Sequence, residues 1–322
     1  MTAVESAPTA TATDGVATPS QPLSQLPRRL RDDPALSGVL GRRTANLAVA
    51  ESARAFTIAG IASLTDRAPI VVAVPTGQEA DRLGHDLRAW LSPDAVEVFP
   101  AWETLPFERV SPGVETMGRR LKVLARLDSD DPPLVVVAPI RALLQRLGPD
   151  AAGFKPIRVA RGAHLDPSTF VADLVAMGYH REFQVEHRGE IAVRGGIVDV
   201  FPATADAPVR IDMWGDEVDR INHFAVADQR STGELDSLVI HAARELRPDA
   251  AVRERARRLV AIEPWGREHW DKVAEGQLFD GMESWLPWLA EGEHLVTDLI
   301  GADGLIAFIE PRRVRDRAAE II

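Results

Sequence analysis

Three arginines, Arg181, Arg188 and Arg194, are the residues of this sequence whose type and spacing best suit a chemical role. They lie within Gly178–Phe224, where apolar and polar residues alternate as in strands with one buried face and one wet face. A guanidinium group carries its N–H donors in a planar fork that matches a carboxylate. We therefore expect a sheet whose wet face presents arginines to acidic groups of a protein partner.

The sequence contains no phosphate-binding loop of the Walker type. Such a loop needs the pattern G-x-x-x-x-G-K-[ST], in which backbone amides and a lysine hold the phosphates. Thr76-Gly77-Gln78 follows the first apolar run, but no Gly-Lys pair follows it at the required spacing. The G-x-S-x-G pattern of a serine nucleophile is also absent. We expect no ATP site, no cofactor and no catalytic residue.

Metal chemistry is not indicated either. The eight histidines are scattered, no H-E-x-x-H pair occurs, and no cysteine is present to complete a tetrahedral site. The acidic clusters at 128–131 and 291–293 lie in turn-like or exposed stretches, so we interpret them as solvated surface. The sequence therefore predicts a chain that is not an enzyme and holds no metal.

The overall charge argues against tight binding of nucleic acid. The chain of 322 residues has 48 acidic and 37 basic side chains, a net charge of -11, which repels phosphate. The absence of cysteine excludes disulfides and is compatible with a reducing cytoplasm. No signal peptide and no apolar run of roughly 20 residues is present, so we expect a cytoplasmic protein without a membrane partner.

Alternating apolar runs and helical periodicity predict a doubly wound α/β sheet. Continuous apolar runs at Ile70–Val74 and Leu134–Ala138 are typical of strands covered on both faces, and Val96–Phe99 is a further strand candidate. Helical spacing over Gln78–Leu91 and Val114–Leu127 separates them. Strands alternating with helices imply parallel strands joined by right-handed crossovers.

A second, smaller α+β unit interrupts this pattern. Asp166-Pro167 starts a helix with an N-cap and a proline at its first position, and Gly178 ends it. The arginine-bearing strands follow as an antiparallel meander. We predict a low-complexity, disordered tail over 1–40 (with a short helix within 27–40), a first domain over 41–150, an inserted α+β domain over 151–247, and a return to the first domain over 248–322.

The last segment is helical and rich in tryptophan. Trp265, Trp270, Trp285 and Trp288 occur beside helical spacing, which favours packing over ligand recognition. Residues 305–309 offer one more strand and 312–322 a last helix. A longer helix is also predicted near the N-terminus, over 46–64.

Two blocks of this sequence resemble the UvrB-homology module of the bacterial transcription-repair coupling factors (Mfd). The first, GEIAVRGGIVDVFP followed by VRIDMWGDEVDRI, places Arg188-Gly189, Val193–Gly195 and Trp214–Glu217 in the positions of a UvrB motif. The second, FPAWETLPFERVSPGVETMGRRL (99–121), resembles Mfd and not UvrB. The resemblance implies an α/β fold with a degenerate P-loop helicase-like (UvrB-like) parallel-sheet domain and an inserted small α+β domain. Its Walker position falls near Ala48–Ala53, which lacks the glycines and the lysine.

The resemblance also implies a partner. In UvrB the corresponding surface docks UvrA, and Arg181 and Arg194 fall on two of the contact positions. The third position is Ala192 here, a departure that weakens docking or shifts it onto Arg188. The family continues into an RNA-polymerase-binding domain and an ATP-dependent DNA translocase, so RNA polymerase and DNA are expected partners only of regions absent from this chain. We expect this chain to be an N-terminal fragment of such a protein or a short relative.

Three alternatives stay open from the sequence. The chain could be an autoinhibitory or structural module that contacts the C-terminal part of its own full-length protein, or part of an ATP-dependent DNA translocase. The block 99–121 could probe DNA, as a hairpin of UvrB does, but it has no tyrosine and offers only Trp102 and Phe107 beside Phe99. We favour packing of Trp102 and Phe107 against the neighbouring domain.

Overall fold

The computed structural model of the protein describes residues 23–105, 108–149, 155–290 and 292–321. Within these ranges the α-helices are α1 (Pro34–Ser37), α2 (Arg54–Leu64), α3 (Gly77–Leu87), α4 (Val114–Leu127), α5 (Ile140–Leu144), α6 (Pro167–Ala176), α7 (Ala250–Ile262), α8 (Arg267–Ala274), α9 (Leu286–Leu289) and α10 (Pro311–Ile321). The strands are β1 (Ile70–Val74), β2 (Val96–Val98), β3 (Val135–Pro139), β4 (Ile157–Ala160), β5 (His180–Arg181), β6 (Glu190–Arg194), β7 (Ile197–Val200), β8 (Val209–Trp214), β9 (Glu217–Phe224), β10 (Ser231–Glu234), β11 (Ser237–Ile240) and β12 (Leu305–Phe308).

A parallel sheet with the strand order β12-β1-β3-β2 forms the first unit. Strands β1 and β3 are buried along their whole length because helices cover both faces. Side chains of α2 and α3 pack on the face that carries Val72 and Val137, and those of α4 and α5 pack on the face of Val71 and Val136. The predicted α/β fold is confirmed, and the sheet also recruits β12 from the far end of the chain.

A second sheet, with the order β10-β9-β8-β7-β6-β5, forms the β-rich unit. Phe170 and Leu174 of helix α6 belong to the same buried cluster as Val198 and Ile211, which lie on one side of this sheet. We call this side the inner face and the opposite side the outer face. The predicted antiparallel meander is present from β6 to β10. Strand β5, however, runs parallel to β6, because the chain makes a wide loop over 182–189 before it returns beside β5.

The chain enters the β-rich unit through one strand and leaves it through another, and these two strands pair with each other. Strand β4 is antiparallel to β11, with Ile157 opposite Ile240 and Ala160 opposite Ser237. The sequence pattern showed neither strand, since each has only four residues and little alternation. Adjacent entry and exit strands are the arrangement that an inserted domain requires, although the boundaries 151–247 stay a prediction.

Helices α7 to α9 form a small core of their own around tryptophan. Trp270 is fully buried, and its ring meets Trp265 at 5.8 Å and Trp285 at 5.0 Å between centroids. Trp288 also contacts Trp265, at 5.3 Å. The four tryptophans therefore pack mainly on one another, as their helical spacing predicted.

Two short helices precede α2 in the segment 23–40. A 3₁₀ helix spans Pro27–Asp32, and α1 follows with Asp33 as its N-cap. Leu36 is buried, and Leu30 lies so close to Gly60 of α2 that a Cβ there would meet its side chain at 2.5 Å. The short helix predicted within 27–40 is therefore present, and Leu30 anchors this segment on α2. Residues 1–22 lie outside the described ranges, and the boundaries of the predicted tail over 1–40 stay a prediction.

No helix among the described residues is both long and apolar enough to cross a lipid bilayer.

Candidate functional site

Local sequence fixes the helix that supports the arginine-bearing sheet. Asp166 caps α6 by accepting a hydrogen bond from the Thr169 N–H at 2.7 Å, and bonds with Ser168 and Thr169 lower the pKa of Asp166 to about 2. At the other end Gly178 has a φ of +90°, which lets the chain reverse into β5. Both predicted ends of this helix are confirmed.

The only tyrosine of the chain ties this helix to the strands. The buried Tyr179 hydroxyl donates to the carbonyl of His241 at 2.8 Å and accepts from the N–H of Ala203 at 3.2 Å. Burial raises the pKa of Tyr179 above its usual range. The hydroxyl therefore serves as a neutral link between the start of β5 and two later segments.

Arg194 lies at the end of β6 on the outer face and is held by a buried carboxylate. Asp199, which has no exposed side-chain surface, accepts hydrogen bonds from Arg194 and from Arg210 of β8. The Arg210 contacts are 2.7 and 2.9 Å, and they raise the pKa of the Arg210 guanidinium. Since 41% of the Arg194 side chain stays exposed, this arginine is oriented and still accessible to a partner.

Ala192 lies two residues earlier on the same strand and is buried. It packs with Val185, Phe201 and Phe224 in a small apolar cluster on the outer face. The loop over 182–189 covers this position. The third expected contact position therefore offers a partner no surface in this chain.

Arg181 does not share a face with Arg194, contrary to the expectation of one wet face. The parallel register places Arg181 beside Ile191, whose side chain packs in the core with α6, so the pleat directs Arg181 to the inner-face side of the edge strand. Arg181 is exposed, and within the described ranges it forms no ion pair. The sequence could not show this, because an antiparallel β5 would have given another register.

Arg188 is engaged in contacts within the chain. Its Nε donates to the carbonyl of Ala205 at 2.8 Å, and its guanidinium pairs with Asp206 at 3.3 Å and with Glu115 of α4 at 3.6 Å. The same group lies 5.3 Å from the centroid of the Phe201 ring. Arg188 thus joins the loop before β6 to the first unit, and most of its donors are engaged within the chain.

Sequence reasoning missed two exposed aromatic side chains in this unit. Phe183 and Trp214 are 88% and 84% exposed, the highest values among the large apolar side chains that the structure describes. Phe183 follows β5, and Trp214 ends β8 at the tip of a hairpin. The motif at 214–217 indicated a turn here, but only the structure shows that its tryptophan is exposed to solvent.

The block 99–121 packs against neighbouring segments. Phe99 is buried, and Trp102 belongs to the edge of the tryptophan core, where its Nε1 donates to Glu245 at 2.9 Å. Ser111 accepts from Gly281 N–H at 2.9 Å. This agrees with the packing interpretation for Trp102; Phe107 lies outside the described residues.

The described part of the chain holds no cluster of three or more histidine or acidic side chains placed to bind a metal ion. After β1, Thr76 caps α3 by accepting from the N–H of Glu79 at 3.3 Å, so this turn serves the helix itself. At 48–50 the backbone is irregular, and Glu51–Ala53 form a 3₁₀ turn into α2. The chemistry that the arrangement supports is recognition through arginine and aromatic side chains.

Comparison with known proteins agrees with this picture. A family model described as the UvrB interaction domain matches residues 157–246. The transcription-repair-coupling factors of Mycobacterium bovis and Mycobacterium tuberculosis are each 43% identical over 277 residues, which cover 81% of this chain and 22% of the relative. That of Bacillus subtilis is 33% identical over 205 residues, covering 63% and 17%. The chain spans about a fifth of the length of the curated relatives it matches.

The matched range begins at the first residue of β4 and ends six residues after β11, so it coincides with the β-rich unit. The similarity to the relatives extends well beyond it, into the parallel sheet and the helical segment. The chain is therefore similar to the N-terminal module of transcription-repair-coupling factors, as its motifs indicated, and residues 157–246 match the UvrB interaction domain.

Proposed function

We propose that this chain recruits UvrA, and so links RNA polymerase stalled at a DNA lesion to nucleotide excision repair. The β-rich unit would dock on an acidic surface of UvrA through Arg194 and Arg181, with a smaller part for Arg188, whose donors are already engaged. The observation that carries the proposal is Arg194, which is exposed on the outer face yet fixed by the buried Asp199. An arginine oriented before binding loses less side-chain entropy when it meets a carboxylate.

We propose no catalytic role for this chain. The chain lacks the Walker pattern, and it aligns with only about a fifth of the length of its relatives. The ATP-dependent translocation of the family, and its contacts with RNA polymerase and DNA, are proposed to lie in other parts of the longer proteins. A calorimetric titration with Mg-ATP tests this, and micromolar binding by the chain would favour the translocase alternative.

Titration of the chain with UvrA by calorimetry tests the docking proposal. Arg194→Ala should weaken binding about 30-fold, because truncating a central interfacial arginine costs about 2 kcal/mol. Arg230→Ala is the matched control, since Arg230 is an exposed arginine beside β10, at the opposite edge of the same sheet. Arg181→Ala reports whether the edge strand takes part.

Failure of the wild-type chain to bind UvrA would refute the proposal for this chain. Equal weakening by Arg194→Ala and Arg230→Ala would indicate non-specific attraction of charge. Circular dichroism and the thermal midpoint of each variant establish that it is folded. Binding to the remaining part of a longer relative, in place of UvrA, would favour the autoinhibitory alternative.

A further inference from the structure

Trp214 is an indole that the fold leaves almost entirely in water. It is 84% exposed, whereas the other residues of β8 alternate between buried and half-buried. Isolated apolar side chains are common on protein surfaces and need no special explanation. The position and the rigidity of Trp214 are what set it apart.

The register of the sheet puts Trp214 on the same face as Arg194. Arg194 pairs with Ile197, and Ile197 pairs with Asp212, two residues before Trp214. The burial pattern of β8 assigns its odd-numbered residues to the inner face, so Asp212 and Trp214 belong to the outer face. With strands about 4.8 Å apart and a rise of about 3.3 Å per residue, the backbones of Arg194 and Trp214 are on the order of 12 Å apart. One partner surface of ordinary size can contact both.

The turn that carries Trp214 is braced by a second segment of the chain. The N–H of Leu165 donates to the carbonyl of Asp216 at 2.6 Å, and the N–H of Val218 donates to the carbonyl of Ala163 at 2.9 Å. His164 forms a bridge to Glu217 and lies 3.3 Å from the Asp216 carboxylate. Because Asp216 at the tip and Val218 after it are hydrogen-bonded to this segment, the turn next to Trp214 has a fixed support.

A fixed, exposed tryptophan beside an oriented arginine has the composition of a binding hot spot. Tryptophan and arginine are the side chains most enriched at such positions, and a preorganised support lowers the entropy cost of docking. Asp212 lies two residues before Trp214 on the same strand and Glu217 lies opposite it in register, so polar residues flank this apolar side chain. A complementary surface would offer an apolar pocket for the indole and acidic groups toward Arg194.

We propose that Trp214 is the apolar anchor of the UvrA interface and inserts into an apolar pocket of that partner next to the carboxylates that meet Arg194. This inference rests on the proposed recruitment of UvrA and adds a residue to it. The loss of the indole should weaken UvrA binding about 30-fold or more, as at other tryptophan hot spots. A phenyl ring keeps the apolar contact, so Trp214→Phe should retain most of the affinity.

Calorimetric titration of UvrA against Trp214→Ala, Trp214→Phe and the wild-type chain tests the inference. Trp265→Ala is the matched control, because Trp265 is 58% exposed and lies in the helical segment, outside the β-rich unit. The expected result is a large loss for Trp214→Ala, little loss for Trp214→Phe, and none for Trp265→Ala. Since Trp214 contributes little to the core, both Trp214 variants should keep the wild-type thermal midpoint.

Two results would overturn the inference, and only one of them would also refute the proposed recruitment of UvrA. If Trp214→Ala binds UvrA as the wild type does while Arg194→Ala fails to, the docking proposal stands and the anchor is lost. If the wild-type chain itself does not bind UvrA, both fall. A wild-type dimer that Trp214→Ala converts to monomer, with UvrA binding unchanged, would assign the indole to a contact between copies of this chain.

Discussion

Arg120 and Glu245 form an ion pair in which both side chains are fully buried, although they are 125 residues apart. Trp102 donates to the same carboxylate, and Arg120 also donates to the carbonyl of Pro100 at 2.9 Å and lies 4.3 Å from the centroid of the Phe99 ring. The pair thus joins α4 and the block 99–121 to the chain that leaves the β-rich unit. It holds the arginine-bearing sheet against the parallel-sheet unit.

The first prediction concerns this pair. Glu245→Gln should lower the free energy of unfolding by about 3–5 kcal/mol, because Arg120 would stay buried without a counter-charge. Urea unfolding measured by circular dichroism checks this. Glu254→Gln is the control: it breaks the exposed pair with Arg257 and should cost less than about 1 kcal/mol. Similar losses of unfolding free energy in the two variants would show that the buried Arg120–Glu245 pair contributes no more to stability than an exposed pair.

The second prediction concerns the contact of α4 with the β-rich unit. A Cβ on Gly118 would lie 2.5 Å from the Cβ of Ala203, so α4 can approach this closely only with glycine. Gly118→Val should reduce the free energy of unfolding by about 1–3 kcal/mol through overpacking. Gly233→Val serves as the control because no atom lies within 4 Å of its Cβ position. A Gly118→Val variant as stable as the wild type would contradict the close approach.

The third prediction separates the orientation of Arg194 from its charge. Asp199→Ala should cost about 1.5–3 kcal/mol of stability, because charged hydrogen bonds to Arg194 and Arg210 are lost together. It should also weaken UvrA binding, since Arg194 then lacks its support. Arg194→Ala should instead leave stability within about 1 kcal/mol of the wild type, because Asp199 keeps Arg210 and the lost partner was partly exposed. Urea unfolding beside calorimetry measures both effects, and unchanged UvrA affinity in Asp199→Ala would argue against preorganisation.

The fourth prediction concerns pH. Burial, reinforced by Lys122 and opposed by Glu97, lowers the pKa of His241 from 6.5 to about 4. The unfolded chain therefore binds a proton between these values and the folded chain does not. The stability contributed by neutral His241 is complete above pH 6.5 and is lost as the pH falls toward 4.

Urea unfolding at several pH values measures this contribution. His241→Gln should flatten the decline of stability between pH 6.5 and 4 by up to about 1.4 kcal/mol per pH unit. This is the slope expected when the unfolded chain binds one proton more than the folded chain. Identical slopes for His241→Gln and the wild type would refute the assignment.

Much of the fold was determined by the sequence itself. Continuous apolar runs such as Ile70–Val74 can be stable only when both faces of a strand are covered, and this predicts the parallel sheet. Asp166 and Gly178 set the ends of α6 through local hydrogen bonding and backbone freedom. The motifs around Arg188, Arg194 and the turn at 214–217 were enough to indicate the family that the comparisons then supported.

Only the tertiary structure decided on which face these side chains lie and which of them are exposed. Arg181 and Arg194 look equivalent in the sequence, but the parallel pairing of β5 directs them to different faces. Arg188 is engaged by Glu115 and Asp206, while Trp214 is exposed. The physical reason is that local patterning depends on residues a few positions apart, whereas strand register and long-range ion pairs depend on segments that meet only after folding. In this protein those long-range contacts determine on which face each of these side chains lies.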